Sequence, residues 1–214
     1  MAHAVSISII LKKLRKLYPE AQCALEHSSP FELLIATILS AQCTDKRVNM
    51  ITPALFAAAN KPDKMLKLGE KKLSNLIKTC GLYQAKTRNI LAACRMLVEN
   101  YEGEVPRELE ELIKLPGVGR KTANVVISNA FDTPAIAVDT HVFRVSQRLG
   151  LAKAKTPEQI ERQLMQVLPK KDWSEAHHLL IHHGRNLCKA RNPLCERCPL
   201  QGECLYFKNL ASRS

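Results

Sequence analysis

Apolar residues in this chain recur at three- and four-residue steps almost from end to end, and nowhere alternate one by one over a useful length. That period belongs to helices with one buried face, so it confines the fold to helices packed on helices. Ile7, Ile10, Leu11, Leu14, Leu17 and Tyr18 share a face with Lys12, Lys13, Arg15 and Lys16 opposite, which reads as an ordinary amphipathic first helix rather than an organelle address. Ser29-Pro30-Phe31-Glu32 and Thr156-Pro157-Glu158-Gln159 each set a hydroxyl at the cap, proline at the first helical position and an acid or amide three residues on; Asp172-Trp173-Ser174-Glu175 is a close variant. Pro53 is expected to split or kink the helix over 45–59, because it removes a backbone donor. Gly81, Gly103 and Gly150 read as helix stops, and the apolar stretch 135–138 is too short for a useful strand. The fold class is all-α.

Lysine and arginine number 32 against 20 aspartates and glutamates, a net charge of +12. Such an excess points to an anionic partner, nucleic acid first. At 5% the aromatics are too few to lay out a platform for single-stranded bases, so duplex DNA is the expected polymer. The longest apolar run, 31–39, is broken by Glu32 and Thr37 and is too short for a bilayer; the first basic cluster follows the first apolar stretch, unlike a secretory leader. The expectation is a monomer without membrane attachment, cytoplasmic and nucleoid-associated in a bacterium, with a nuclear or mitochondrial setting also open.

The first chemical constellation is Leu115-Pro116-Gly117-Val118-Gly119-Arg120-Lys121-Thr122-Ala123. Gly117 and Gly119 permit a tight turn between a helix over 107–114 and another leading on to residue 130, with Val118 plugging the gap between them. Amides at the start of the second helix, reinforced by Arg120 and Lys121, suit a phosphate without reading bases. Lys121 is also a candidate nucleophile: an amine partly stripped of water and crowded by other cations can form a Schiff base with a sugar carbon. Asp139, in Val138-Asp139-Thr140-His141, stands where a helix begins; it suits an N-cap, and equally an anion that steadies positive charge in a transition state.

The second constellation is Cys188-x6-Cys195-x2-Cys198-x5-Cys204. Four thiolates in a compact segment can hold zinc or an iron–sulfur cluster; a single Cys-x2-Cys pair, where a zinc ribbon has two, favours the cluster without settling the metal. The intervening Lys189-Ala190-Arg191-Asn192-Pro193-Leu194 carries two cations and no acid, a lobe suited to phosphates. Cys23, Cys43, Cys80 and Cys94 are scattered along helical patterns and read as buried thiols. His177, His178, His182 and His183 read as a packed or capping set rather than a zinc site.

Together these residues resemble the endonuclease III family of DNA glycosylases with abasic-site lyase activity. The resemblance also runs through Ser40-Ala41-Gln42, Gly81-Leu82-Tyr83, Gly103-Glu104-Val105-Pro106 and His183-Gly184-Arg185, over nearly the whole chain. It implies two helical lobes with DNA in the cleft between them. One is a six-helix barrel, 23–134, carrying the helix-hairpin-helix at about 107–130. The other is an iron–sulfur lobe, 1–22 with 135–214, whose [4Fe-4S] cluster sits on the loop 188–204. It implies that Lys121 attacks the sugar of an oxidised pyrimidine nucleotide, that Asp139 assists, and that β-elimination cuts the strand 3′ to the lesion. Gln42 and Leu82 resemble the residues that fill the hole left by the extruded nucleotide. Cys43 and Pro53 depart from many members. Adenine-mismatch glycosylases lack the lysine and extend further beyond the cluster; a non-catalytic DNA-binding module is the rival of another class.

Overall fold

A computed structural model describes residues 7–211; residues 1–6 and 212–214, which the expected iron–sulfur lobe includes, lie outside the described residues. Among the described residues the regular structure is helical, with no strand. The helices are α1 (Ile7–Leu17), α2 (Pro30–Ser40), α3 (Asp45–Ala58), α4 (Pro62–Ile77), α5 (Tyr83–Asn100), α6 (Leu109–Leu112), α7 (Arg120–Ala130), α8 (Thr140–Leu149), α9 (Pro157–Val167), α10 (Trp173–Asn186) and α11 (Leu205–Ala211). The chain divides into two compact units, Cys23–Thr133 and Met1–Gln22 with Pro134–Ser214.

In the unit Cys23–Thr133, every residue over 31–39 is buried, and α3, α5 and α7 pack around α2. A helix buried on all faces needs its ends satisfied internally. Ser29 Oγ accepts from the Glu32 amide at 3.2 Å, while the Glu32 carboxylate accepts from the Ser28 amide at 2.7 Å. The return bond thus reaches one residue ahead of the cap. α9 repeats the offset: Thr156 Oγ1 accepts from the Gln159 amide and Gln159 Oε1 from the Lys155 amide. Each such cap contributes about 1 kcal/mol.

The third expected capping box does not form. Asp172 has helical backbone angles and no capping bond; its carboxylate and that of Glu175 accept instead from the Arg15 guanidinium, at 2.8 and 2.6 Å. Nor does Pro53 split its helix. It stands on the exposed side of α3, where losing one donor leaves the inner face of Val48, Ile51, Thr52 and Leu55 buried. The break falls at Gly69 instead, whose φ of 78° and ψ of 164° interrupt α4. Cys80 and Cys94 are buried as expected, but Cys23 and Cys43 are only half-buried.

In the other unit, α8 is packed by α9, α10 and α11, and α1 lies on α10. Ile10, Leu11 and Leu14 join Val142, Val145, Leu149, Leu179 and Leu180 in one core, with Ile136 and Val138 of the irregular stretch 135–138 buried among them. Gly184 lets α10 approach α8 closely: a Cβ there would lie 2.9 Å from His141 Cβ and 3.1 Å from Val145 Cγ2. Among the described residues no helix is long and apolar enough to cross a membrane.

Candidate active site and cysteine centre

The hairpin has one short arm and one long. The first is the single turn α6, shorter than the expected 107–114, because bonds back to the third residue take over after Ile113. Leu112, Leu115 and Val118 bury the inside of the turn, which closes through the Val118 amide donating to Leu115 O at 3.0 Å. Gly117 has φ +81°, and a Cβ there would lie 3.0 Å from Asn89 Cβ on α5. Backbone and space both require glycine at this position. Gly119 at the N-cap of α7 has no side chain of its own to close the first turn, and the positive end of a helix dipole with its leading amides suits an anion. Lys121, in the first turn of α7, is exposed. The partial loss of water expected of this amine is not seen at so exposed a side chain.

Two loop tips in the same unit abut. Gln42 follows α2 with φ 52°, and Leu82 precedes α5 with φ 57°; both are left-handed without being glycine. Each such position costs roughly 1–2 kcal/mol, and such strain gathers at functional places. Leu82 is 61% exposed, an apolar side chain held outward. A Cβ on Gly81 would lie 3.3 Å from Gln42 O, so the tips touch backbone to backbone. Buried Lys86 donates to Leu39 O at 2.7 Å, tying the start of α5 to the end of α2.

In the other unit, Asp139 caps α8: one carboxylate oxygen accepts from the amides of His141 and Val142, each at 2.8 Å. The carboxylate is half-buried and fixed in direction by these two bonds.

Cys188, Cys195, Cys198 and Cys204 are free thiols lining one pocket with Leu149, His183 and Leu187. Burial raises the thiols of Cys195, Cys198 and Cys204, and each is raised further by the charge of other cysteines in the set. Four thiolates so placed repel one another until a cationic core lies among them. Among the described residues, no three histidine, cysteine or acidic side chains converge tightly enough for a single metal ion. Four cysteines lining one pocket supply the four thiolates that an iron–sulfur cluster takes as ligands.

The family model for HhH-GPD superfamily base excision DNA repair proteins matches residues 35–170. Endonuclease III of Rickettsia conorii is 49% identical over 95% of this chain and 97% of that protein, and that of Bacillus subtilis is 50% identical over 95% and 94%. The chain belongs to the endonuclease III family. A second model, the iron–sulfur binding domain of endonuclease III, matches residues 188–204, from the first cysteine of the set to the last. A solved endonuclease III, trapped as a covalent intermediate with DNA, superposes with a TM-score of 0.90 at 49% identity, covering 96% of this chain and 97% of that one. The cofactor of the family, and of this chain, is a [4Fe-4S] cluster.

The cysteine segment of this chain is held by something besides secondary structure, and sequence reasoning missed what does so. Arg148 donates to Cys188 Sγ at 3.4 Å, Lys189 O at 2.7 Å and Ala190 O at 3.1 Å; Arg144 donates to Cys188 O and Gly184 O. The signal was available as two arginines four apart on α8, one helical face. Lys189 and Arg191 are exposed, and Arg148 grips the backbone of Lys189 and Ala190. Buried His183 sets Nδ1 3.2 Å from the Tyr18 hydroxyl and Nε2 3.6 Å from Cys198 Sγ. Burial pushes its imidazole down to about 4. The neutral ring can accept from Tyr18 and donate to the sulfur, the usual way a neighbouring group orients a metal ligand. Lys13 on α1 donates to Pro199 O and pairs with Glu203, so the basic face of α1 serves partly as a clamp.

Proposed function

We propose that this base-excision repair enzyme, a DNA glycosylase and abasic-site lyase, runs both of its steps through the Nζ of Lys121. The amine attacks C1′ of an oxidised pyrimidine nucleotide turned out of duplex DNA, and the C1′–N bond breaks as the base leaves with a proton. Ring opening leaves a Schiff base between Nζ and C1′. Loss of a C2′ proton then breaks the C3′–O bond, cutting the strand 3′ to the lesion, and hydrolysis of the imine frees the lysine. Asp139 takes up the proton released by the attacking amine and steadies the positive charge on the sugar.

The observation that carries this reading is the exposed Lys121 in the first turn of a helix that begins at a glycine N-cap. Gly117, Gly119 and Arg120 hold a backbone phosphate through that turn, and Lys189 and Arg191 hold others. Gln42 and Leu82 occupy the gap left by the extruded nucleotide, Leu82 by its apolar side chain and Gln42 by polar contact with the unpaired partner base. Cys188, Cys195, Cys198 and Cys204 ligate the cluster, which pins the basic loop between them. The barrel lobe is 23–134 and the cluster lobe the remainder; the enzyme works as a monomer on DNA, in the nucleoid if the host is a bacterium.

Borohydride trapping tests the assignment. Wild type and Lys121→Ala are mixed with a duplex carrying one abasic site, reduced, and run on a denaturing gel. A cross-linked band in the wild type that vanishes in a variant still able to bind DNA is the expected result. A band that persists moves the nucleophile elsewhere.

A further inference from the structure

Cys43 and Cys80 take no part in the reading above, yet each stands at the root of one loop tip. Cys43 directly follows Gln42, and Cys80 is separated from Leu82 by Gly81 alone. The tips meet at Gly81 and the Gln42 carbonyl. Beside that contact Cys43 and Cys80 lie near enough to act on one another, with Lys86 and Arg47 close enough to pull on the Cys80 charge. Their access differs: Cys80 is 2% exposed, and Cys43 is half-buried. A reagent reaches Cys43 first, and Cys80 waits behind it.

We propose that Cys43 and Cys80 form a reversible disulfide that staples the Gln42 and Leu82 tips, with a low-molecular-weight disulfide such as oxidised glutathione as the oxidant. The Cys43 thiolate attacks one sulfur of that molecule, forming a mixed disulfide and releasing the first small thiol. Cys80 then gives up its proton and attacks Cys43 Sγ, expelling the second small thiol, which takes up a proton. Two protein thiols are oxidised and one small disulfide is reduced to two thiols. Lys86 is held in place by its bond to Leu39 O, and Arg47 adds a second charge to steady the Cys80 thiolate during the second step. Burial pushes the Cys80 thiol up to about 11, so this step is slow and the staple answers sustained rather than brief oxidation. Its effect on DNA rests on the proposed roles of Gln42 and Leu82. A staple at their roots fixes the separation of two tips that the duplex must accommodate, so the oxidised enzyme holds a lesion less well.

The test uses the full chain with its cluster. After exposure to oxidised glutathione, free thiols are alkylated and peptides mapped, with the cluster's visible absorbance recorded throughout. The expected product links the peptides of Cys43 and Cys80, is absent from Cys43→Ser, and reverts with dithiothreitol while the absorbance is unchanged. Cys43 left as a stable glutathione adduct with Cys80 free overturns the staple. Affinity for a duplex with a tetrahydrofuran abasic analogue should fall at least threefold on oxidation in the wild type and not in Cys43→Ser; cross-linked protein of unchanged affinity overturns the effect on DNA. Gln42→Ala and Leu82→Ala, measured in reduced protein, separate the two readings. If neither weakens binding the tip roles fail, while the peptide map still decides the staple.

Discussion

The hairpin of the unit Cys23–Thr133 and the cysteine segment of the other unit both carry exposed cations, and they are held by opposite means. The hairpin is positioned by its own backbone: a left-handed Gly117, a plugged turn at Val118 and a helix start at Arg120. The segment 188–204 has a single short 3-10 turn, at Cys195–Arg197, as its regular structure. It is positioned from outside by Arg144, Arg148, Lys13 and His183, and by a cluster at its centre. A tight turn tolerates little change at its glycines but needs no partner. A ligated loop tolerates change in most of its own residues but depends on its ligands and its grips.

The largest effect should come from Lys121→Ala, which removes an exposed side chain and leaves the turn intact. Lyase turnover should fall by at least ~10³-fold with affinity for an abasic duplex nearly kept. Equal losses in turnover and affinity would break the contrast, making the lysine one more phosphate contact. Cys198→Ser comes next. We expect a protein without cluster absorbance, cut by protease within 188–204, and binding damaged duplex ~10–100-fold more weakly, while 107–130 stays protected from hydrogen exchange.

Two glycine substitutions sharpen the comparison at a smaller scale. Gly117→Ala forces a side chain into φ +81° with Asn89 Cβ 3.0 Å away. It should cost roughly 1–3 kcal/mol, appearing mainly as lost DNA affinity. Gly184→Ala meets His141 Cβ at 2.9 Å, part of the rigid stem of α8. The cost should again be roughly 1–3 kcal/mol, but the shift falls on the first turn of α8 and so on Asp139. Turnover should drop more than affinity. The two variants showing one common profile in kcat and KM would argue against separate duties for the two units.

The smallest effect is a pH dependence. Burial, with His182 and Arg185 adding, pushes the His178 imidazole down to about 4 from an ordinary 6.5. The unfolded chain takes up that proton near pH 6.5 and the folded chain only near 4. Stability from this group is whole above 6.5, declines as pH falls through the window, and is gone below 4. Between pH 7 and 5 the wild type should lose about 1–2 kcal/mol more than His178→Gln, read from denaturation midpoints. Parallel curves for the two proteins would put the acid sensitivity elsewhere.

Much of the site was legible because its parts are local. Gly117, Gly119, Arg120 and Lys121 lie within one turn, and the sulfur spacing over 188–204 is itself the signature of a ligand set. The cap at Asp139 was equally legible, since a helix start and its capping oxygen lie within three residues. The failures share the opposite property. Asp172 and Glu175 were expected to cap α10 and are claimed instead by Arg15, some 160 residues away in sequence. Pro53 was weighed as a helix breaker from its own chemistry, but whether it breaks depends on which face it occupies. The grip of Arg148 on the cysteine segment and the meeting of the Gln42 and Leu82 tips join residues that no short window contains.

By itself, then, the sequence determined the helical period, most of the caps and turns, the grouping of four cysteines in one short segment and the place of a lysine just after the hairpin glycines. These follow from interactions within a few residues, whose geometry is nearly the same in any fold. Only the tertiary structure decided that the Gln42 carbonyl would meet Gly81, that Gly184 would admit α10 to the side of His141, and that an arginine pair on α8 would hold a loop with almost no structure of its own. Close packing brings such groups together, and it is a property of the whole fold that no local preference encodes.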